Sequence, residues 1–152
     1  MSNIISRLSF IMTNMSNKKA AVGLTFGAFE HFHHGHVNLL KNAKKMCEKL
    51  IVCVSDDEYI ETKKGHMPLL NYEKRVIVVA AVRYVDVVDK QGLGFSKEDA
   101  IKKHKPNLLF VGNDWTPKTY TGEGLGVPVV YLQYTKEVSS TIIRLGLDKL
   151  KK

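Results

Sequence analysis

Residues 20–50 constrain the architecture more than any other stretch, because they run from a strand through a glycine-bearing turn into a helix. Ala20 to Phe26 reads as a buried strand. Gly27-Ala28-Phe29-Glu30-His31-Phe32-His33-His34-Gly35-His36 makes the turn, and Val37 to Leu50 reads as a helix. That helix carries apolar residues at Leu39, Leu40, Ala43, Met46, Cys47 and Leu50, with lysines on its other face. Spacings of three and four lay such a helix over a sheet. A helix entered in this way presents its first N–H groups at the positive pole of its dipole, where phosphate oxygens are stabilised. His31, His33, His34 and His36 add four imidazoles to those donors.

Strands and helices alternate through the rest of the chain. Leu50-Ile51-Val52-Cys53-Val54 is a continuous apolar run, the pattern of a strand buried on both faces of a parallel sheet. Residues 55–70 turn polar and read as a loop with at most one helical turn. Asn71 caps a second helix, with Glu73 near its positive end and Val76 to Val82 as its core face. Val85 to Val88 reads as a short third strand, and Gln91-Gly92-Leu93-Gly94 as a turn. Ser96 and Asp99 form a capping pair opening a helix through His104, which Pro106 stops. Leu108 to Val111 is the fourth strand, Val127 to Leu132 the fifth, and Ser139-Ser140-Thr141 opens a last helix, Ile142 to Leu150. This alternation predicts an α/β fold: a single Rossmann-like, doubly wound, parallel five-stranded sheet with helices on both faces. Ligands of such sheets sit beyond the carboxyl ends of the strands. The histidine turn, Asp56-Asp57, Asn113-Asp114-Trp115 and Thr135 to Thr141 all fall there.

A chain of 152 residues suits one domain, here residues 19–152 behind a leader, 1–18, that reads as disordered. The leader lacks the pattern of a signal peptide, and no apolar run approaches the roughly 20 residues that span a bilayer. Cys47 and Cys53 read as small core residues on a helix and a strand rather than a disulfide. Together these features predict a cytoplasmic protein with no membrane partner. The net charge of +8 raises the possibility of nucleic acid, but the lysines are scattered over helix faces and chain ends, with no arginine-rich segment. Nor are aromatic stacking platforms interleaved with the basic residues, so a small anionic substrate explains the positive field and no nucleic-acid partner is expected.

Among residues able to carry chemistry, His33 and His36 stand out: two imidazoles near one helix start can reach the same phosphate, and Gly35, without a Cβ, lets backbone approach it. A zinc site from the four turn histidines is the competing reading, and no second cluster supplies further ligands. Taken singly, the other candidates have plainer readings. Lys63 and Lys64 read as a solvated loop, Arg75 as a partner of Glu73 or Asp86, Trp115 as core, and Ser139-Ser140-Thr141 as a cap.

Thr25-Phe26-Gly27-Ala28-Phe29-Glu30 followed by His33-His34-Gly35-His36 resembles the signature of the cytidylyltransferase family of HxGH nucleotidyltransferases, on its glycerol-3-phosphate branch. The resemblance continues through Ser55-Asp56-Asp57-Glu58-Tyr59, Lys63-Lys64, Tyr72-Glu73-Lys74-Arg75, Arg83-Tyr84-Val85-Asp86, Gly112-Asn113-Asp114-Trp115 and Ser139-Ser140-Thr141. It implies transfer of CMP from CTP, accompanied by Mg²⁺, to a small phosphorylated acceptor such as glycerol 3-phosphate or a related polyol or amino-acid phosphate. Pyrophosphate would leave, and the enzyme would be a homodimer. By the same resemblance His33, His36, Lys63 and Arg75 act in catalysis. Thr25, Phe26, Gly27, Ala28, Gly35, Asp114, Trp115, Tyr134, Thr135, Ser139, Ser140 and Thr141, with both histidines, hold the nucleotide. Glu30, Asp57, Lys63, Lys64 and Arg75 face the acceptor. Three positions depart from the pattern: Glu30 stands where aspartate is usual, Tyr134 where arginine is usual, and Asn113 where a second acidic residue is common. AMP transfer within the same superfamily, or a nucleotide-binding module without turnover, are the alternatives these departures leave open.

Overall fold

A computed structural model describes residues 18–113, 115–133, 135 and 139–150. β1 (Ala20–Gly27) is the middle strand of an all-parallel sheet of order β3-β2-β1-β4-β5, formed with β2 (Cys47–Ser55), β3 (Val87–Gln91), β4 (Leu108–Gly112) and β5 (Val129–Leu132). In register, Leu24 lies opposite Ile51 on one side and Leu109 on the other. Among the described residues, the helices between the strands are α1 (His34–Lys45), α2 (Asp57–Lys64), α3 (Tyr72–Ala80) and α4 (Lys97–His104), and α5 (Ser140–Leu150) follows β5.

Alternate residues of the central strands feed two cores. On one face Leu40 and Ala43 of α1 and Val79 of α3 bury Val52, Val54 and Phe110. On the other, Ala100 of α4 and Tyr120 bury Leu24, Ile51 and Leu109. Burial on both faces is why these strands read as unbroken apolar runs. The chain goes from β1 to β2 on one side and returns to β4 on the other, so a crevice opens at the carboxyl ends of β1 and β4, the switch point where such sheets bind ligands. The Thr25 hydroxyl ties those two strands together by donating to the Phe110 carbonyl at 2.9 Å.

The doubly wound parallel sheet is as expected from the sequence; several boundaries are not. The first helix ends at Lys45 rather than Leu50, and β2 begins at Cys47, opposite Ala20. Met46, Cys47 and Leu50 satisfy a helical period and a strand equally, and pairing with β1 decides between them. Both cysteines therefore lie on β2, buried and free, and burial pushes the Cys53 thiol up to about 12. The segment expected to be a loop contains α2. Asp56 caps it by accepting from the Tyr59 N–H at 2.8 Å, acidic residues fill its first turn, lysines its last, and left-handed Gly65 ends it. The third strand lies two residues later than expected, at Val87–Gln91, because an edge strand tolerates Asp89 and Lys90. Residues 127 and 128 fall outside β5, and α5 opens at Ser140. Among the described residues, no helix is long and apolar enough to cross a membrane. The expected leader falls almost entirely outside the described residues.

Candidate active site

The turn from β1 to α1 is shaped by two non-glycine residues in the left-handed region, Phe29 (φ 52°) and His31 (φ 45°). Phe29 is buried, with its ring packed where a Cβ on Gly27 would come within 2.8 Å. Only glycine at position 27 leaves room for that ring. The chain then enters α1 through His33 in extended geometry.

His33 and His36 cap the helix reciprocally. His33 Nδ1 accepts from the Gly35 N–H at 3.0 Å, and His36 Nδ1 accepts from the His33 N–H at 3.2 Å. This is a capping box with imidazoles in place of serine and glutamate. A ring nitrogen that accepts a backbone N–H carries no proton, so both rings hold theirs on Nε2. The ring centroids are 3.9 Å apart. Phe32 stacks on His36 at 5.1 Å and Phe29 lies 5.4 Å from it. Burial, reinforced by His33 and then Lys64, pushes the His36 imidazolium down to about 3. Burial, then His34, lowers His33 as well. Both imidazoles border a cavity of about 300 Å³ at the switch point as neutral Nε2–H donors.

A second cluster at the cavity is ionic. Glu30 is only 7% exposed. Its carboxylate accepts from Lys64 Nζ at 2.9 Å and meets His66 Nε2 at 3.0 Å. Burial pushes the carboxyl up, but Lys64 and then His66 outweigh it and hold the group below its ordinary value. The Arg144 guanidinium lies 3.1 Å from the His66 ring, and the Ser140 hydroxyl donates to the Glu30 carbonyl. The 64–66 segment and α5 thus converge on one residue.

Most of the expected nucleotide-site residues meet in this cavity. Phe26, Gly27, Ala28, Gly35 and half-exposed Trp115 line it, as do Thr135, Ser139, Ser140 and Thr141. Several hydroxyls there already have partners. Thr25 is bonded to Phe110, the Thr135 hydroxyl accepts from Asn38 Nδ2 at 3.0 Å, and Ser139 Oγ caps α5 by accepting from the Ile142 N–H. Asp114 and Tyr134 lie outside the described residues.

Three expectations need correction. Arg75 is 2% exposed and does not line the cavity. Its Nη1 donates to the carbonyls of Ala28 and Ser55 at 2.7 Å, its Nε to Leu70 at 3.0 Å and its Nη2 to Asp57 at 2.7 Å. Four of its five N–H donors are thus taken up within the protein, and they brace the turn from outside the cavity lining. Asp57 is engaged as its counter-ion, not turned toward an acceptor, and neither Glu73 nor Asp86 is the partner. Lys63 is not part of the cavity lining and holds its ammonium 5.7 Å from the Tyr59 ring centroid, while its neighbour Lys64 lines the cavity.

His66 and Arg144 escaped the sequence reading because they approach Glu30 only in the folded chain, 36 and 114 positions away in numbering. One signal was available for Arg144, which follows Ser140 by one helical turn and so shares its face. For the metal, no group of three His, Cys, Asp or Glu side chains able to hold an ion occurs among the described residues.

Comparison with known proteins identifies the family. Residues 24–146 match the model of the cytidylyltransferase-like family. The chain is 34% identical over 127 residues to the glycerol-3-phosphate cytidylyltransferase of Staphylococcus aureus, covering 82% of this chain and 92% of that one. It is 37% identical over 114 residues to the FAD synthase of Pyrococcus horikoshii, covering 71% of this chain and 77% of that one. Against the bifunctional protein HldE of Desulfatibacillum aliphaticivorans it is 31% identical over 144 residues, 91% of this chain but 29% of that longer one. Among solved structures, the lipopolysaccharide core biosynthesis protein of Thermoplasma volcanium shares the fold with a TM-score of 0.64 at 22% identity, covering 77% of this chain and 98% of that one.

Proposed function

The chain belongs to the cytidylyltransferase-like family and is a nucleotidyltransferase, and from that premise we propose that it transfers CMP from CTP to the phosphate of a small acceptor, glycerol 3-phosphate first among them. The observation that carries this reading is the His33–His36 pair, with both Nδ1 atoms engaged by backbone N–H groups and both rings lining the cavity.

An acceptor phosphate is already an anionic nucleophile, so the reaction needs no serine, cysteine or charge-relay base. An acceptor oxygen forms a bond to the α-phosphorus of CTP, the bond from that phosphorus to the bridging oxygen breaks, and pyrophosphate leaves with the electron pair. The barrier lies in bringing two anions into line, and positioning of this kind is worth about 7–11 kcal/mol. In this reading His33 and His36 donate to the α-phosphoryl oxygens as negative charge builds on them, fixed in place by the capping box before substrate arrives. Ser139, whose hydroxyl accepts from Ile142 and keeps its own proton to donate, and Thr141 hold the outer phosphates at the opening of α5. Glu30, with Lys64 and His66, forms the acceptor wall. Magnesium would accompany the triphosphate as its counter-ion and offset its charge, which suits an ion that keeps much of its own water.

Pyrophosphate release, measured with CTP and with ATP across glycerol 3-phosphate and other polyol and amino-acid phosphates, tests the reading. Turnover with CTP and one such acceptor is expected. Turnover with ATP alone overturns the cytidylyl assignment in favour of AMP transfer, the second reading, which the FAD synthase relative supports because FAD contains an AMP moiety.

A further inference from the structure

Lys97, outside every role assigned above, sits at the first position of α4, where the helix dipole disfavours a cation. Its ammonium lies 5.1 Å from the centroid of the Phe26 ring and 5.9 Å from that of Tyr120. Phe26 is part of the cavity wall, and Trp115, another wall residue, packs on Tyr120 with centroids 6.2 Å apart. Lys97 is therefore separated from the cavity by a single layer of aromatic rings.

Two observations mark this place as built for an anion. First, no carboxylate among the described residues forms an ion pair with Lys97, while Lys44, Lys64, Lys90 and Lys103 each have one. Burial lowers its basicity, opposed by Glu98 and reinforced by Lys63, so the charge is incompletely compensated. Second, the Tyr120 hydroxyl is the buried side-chain polar atom without a hydrogen-bond partner among the described residues, on a side chain 8% exposed. Buried hydroxyls without partners are uncommon and call for a missing one. Of the other cations, Lys64 is paired with Glu30 and Arg75 is held by three carbonyls and Asp57, while Lys63, near enough to Lys97 to lower its basicity, faces the Tyr59 ring.

We propose that Lys97 is the cation that receives the phosphomonoester of the acceptor, reaching it past the Phe26–Trp115 wall, with the Tyr120 hydroxyl as a neighbouring donor. The inference rests on the phosphorylated acceptor of the proposed function and makes Lys97 a determinant of acceptor affinity rather than of nucleotide binding.

Lys97→Met retains the length and packing of the side chain against both rings and removes the charge. With CTP and glycerol 3-phosphate, its KM for the acceptor should rise tenfold or more, with the KM for CTP within twofold and the melting temperature unchanged; Lys97→Arg should recover most of the loss. An unchanged acceptor KM, or an equal rise for both substrates, overturns the proposal. A second measurement separates its failure from that of the cytidylyl reading. In protein reductively methylated with ¹³C, the Lys97 resonance, identified by its loss in Lys97→Met, should shift on titration with glycerol 3-phosphate and with inorganic phosphate, whether or not turnover occurs. A resonance that neither probe moves, in the presence or absence of CTP, also overturns it.

Discussion

Within one cleft, the histidine wall carries no formal charge at neutral pH, whereas the Glu30 wall is assembled from ions. His33 and His36 are held as neutral donors by backbone N–H groups within one helical turn. Glu30, Lys64, His66 and Arg144 come from three separate segments, with the Glu30 carboxylate binding Lys64 and His66 and the Arg144 guanidinium lying against the His66 ring. The difference follows from what each wall must do in the proposed reaction. Donors aimed at an α-phosphate must be in place before reaction and cannot drift in protonation with pH. A wall that receives a variable acceptor benefits from long side chains that re-pair.

The comparison can be broken, or sharpened, in four ways. The largest expected effect lies beneath both walls. Arg75→Met leaves Asp57 and three carbonyls without their donor, and should lower unfolding stability in urea by about 3–5 kcal/mol, as removal of one partner of a buried ion pair does. A loss below about 1 kcal/mol would mean that the two walls do not share this support. Next, His36→Ala should reduce kcat on the order of 10²–10³, as loss of one preorganised donor does, with the acceptor KM little changed. A drop confined to KM would place the imidazole in binding alone. Glu30→Gln should then lower stability at pH 7 by about 1–3 kcal/mol, because the Lys64 and His66 contacts lose their charge-assisted partner. Thermal unfolding of the two proteins should converge in acid. The folded-state carboxyl lies below 4.5, so its contribution is full above that value and lost as pH falls through the folded one.

The smallest effect is a signal that stays still. With its imidazolium pushed down to about 3, His36 should show no NMR titration between pH 5 and 8. The unfolded chain takes up that proton near 6.5, so the stability contributed by neutral His36 is full above 6.5 and declines as pH falls towards 3. Between 6.5 and 4.5 acid should therefore weaken the histidine wall while leaving the Glu30 carboxylate ionised. A His36 resonance titrating near 6.5 would erase the contrast between the walls.

Regular periodicity and local motifs made the parallel five-stranded sheet, the capping of α3 and α4 by Asn71 and Ser96, and the histidine pair legible in sequence, though not the order of the strands. What stayed hidden depended on contacts distant in the chain. Arg75 read as an anion grip because its partner Asp57 lies 18 residues earlier, on a helix whose acidic start and basic end looked like a polar loop. Glu30 was recognised as a departure from aspartate, but its two partners were not, since nothing in the pattern of residues 64–66 says which side chain turns inward. Lys63 and Lys64 illustrate the same limit: adjacent in sequence and alike in chemistry, they face an aromatic ring and the cavity respectively.

The left-handed backbone at Phe29 and His31 has a wider consequence. A non-glycine residue there is strained by on the order of 1 kcal/mol and keeps that shape only while its surroundings insist on it. Here the insistence comes from the buried Phe29 ring, which belongs to the same core as Leu40 and Val79. Turnover thus becomes a gauge of how tightly the interior is packed. A methyl group trimmed from that core should relax the turn and slow the enzyme while the protein still melts almost where it did.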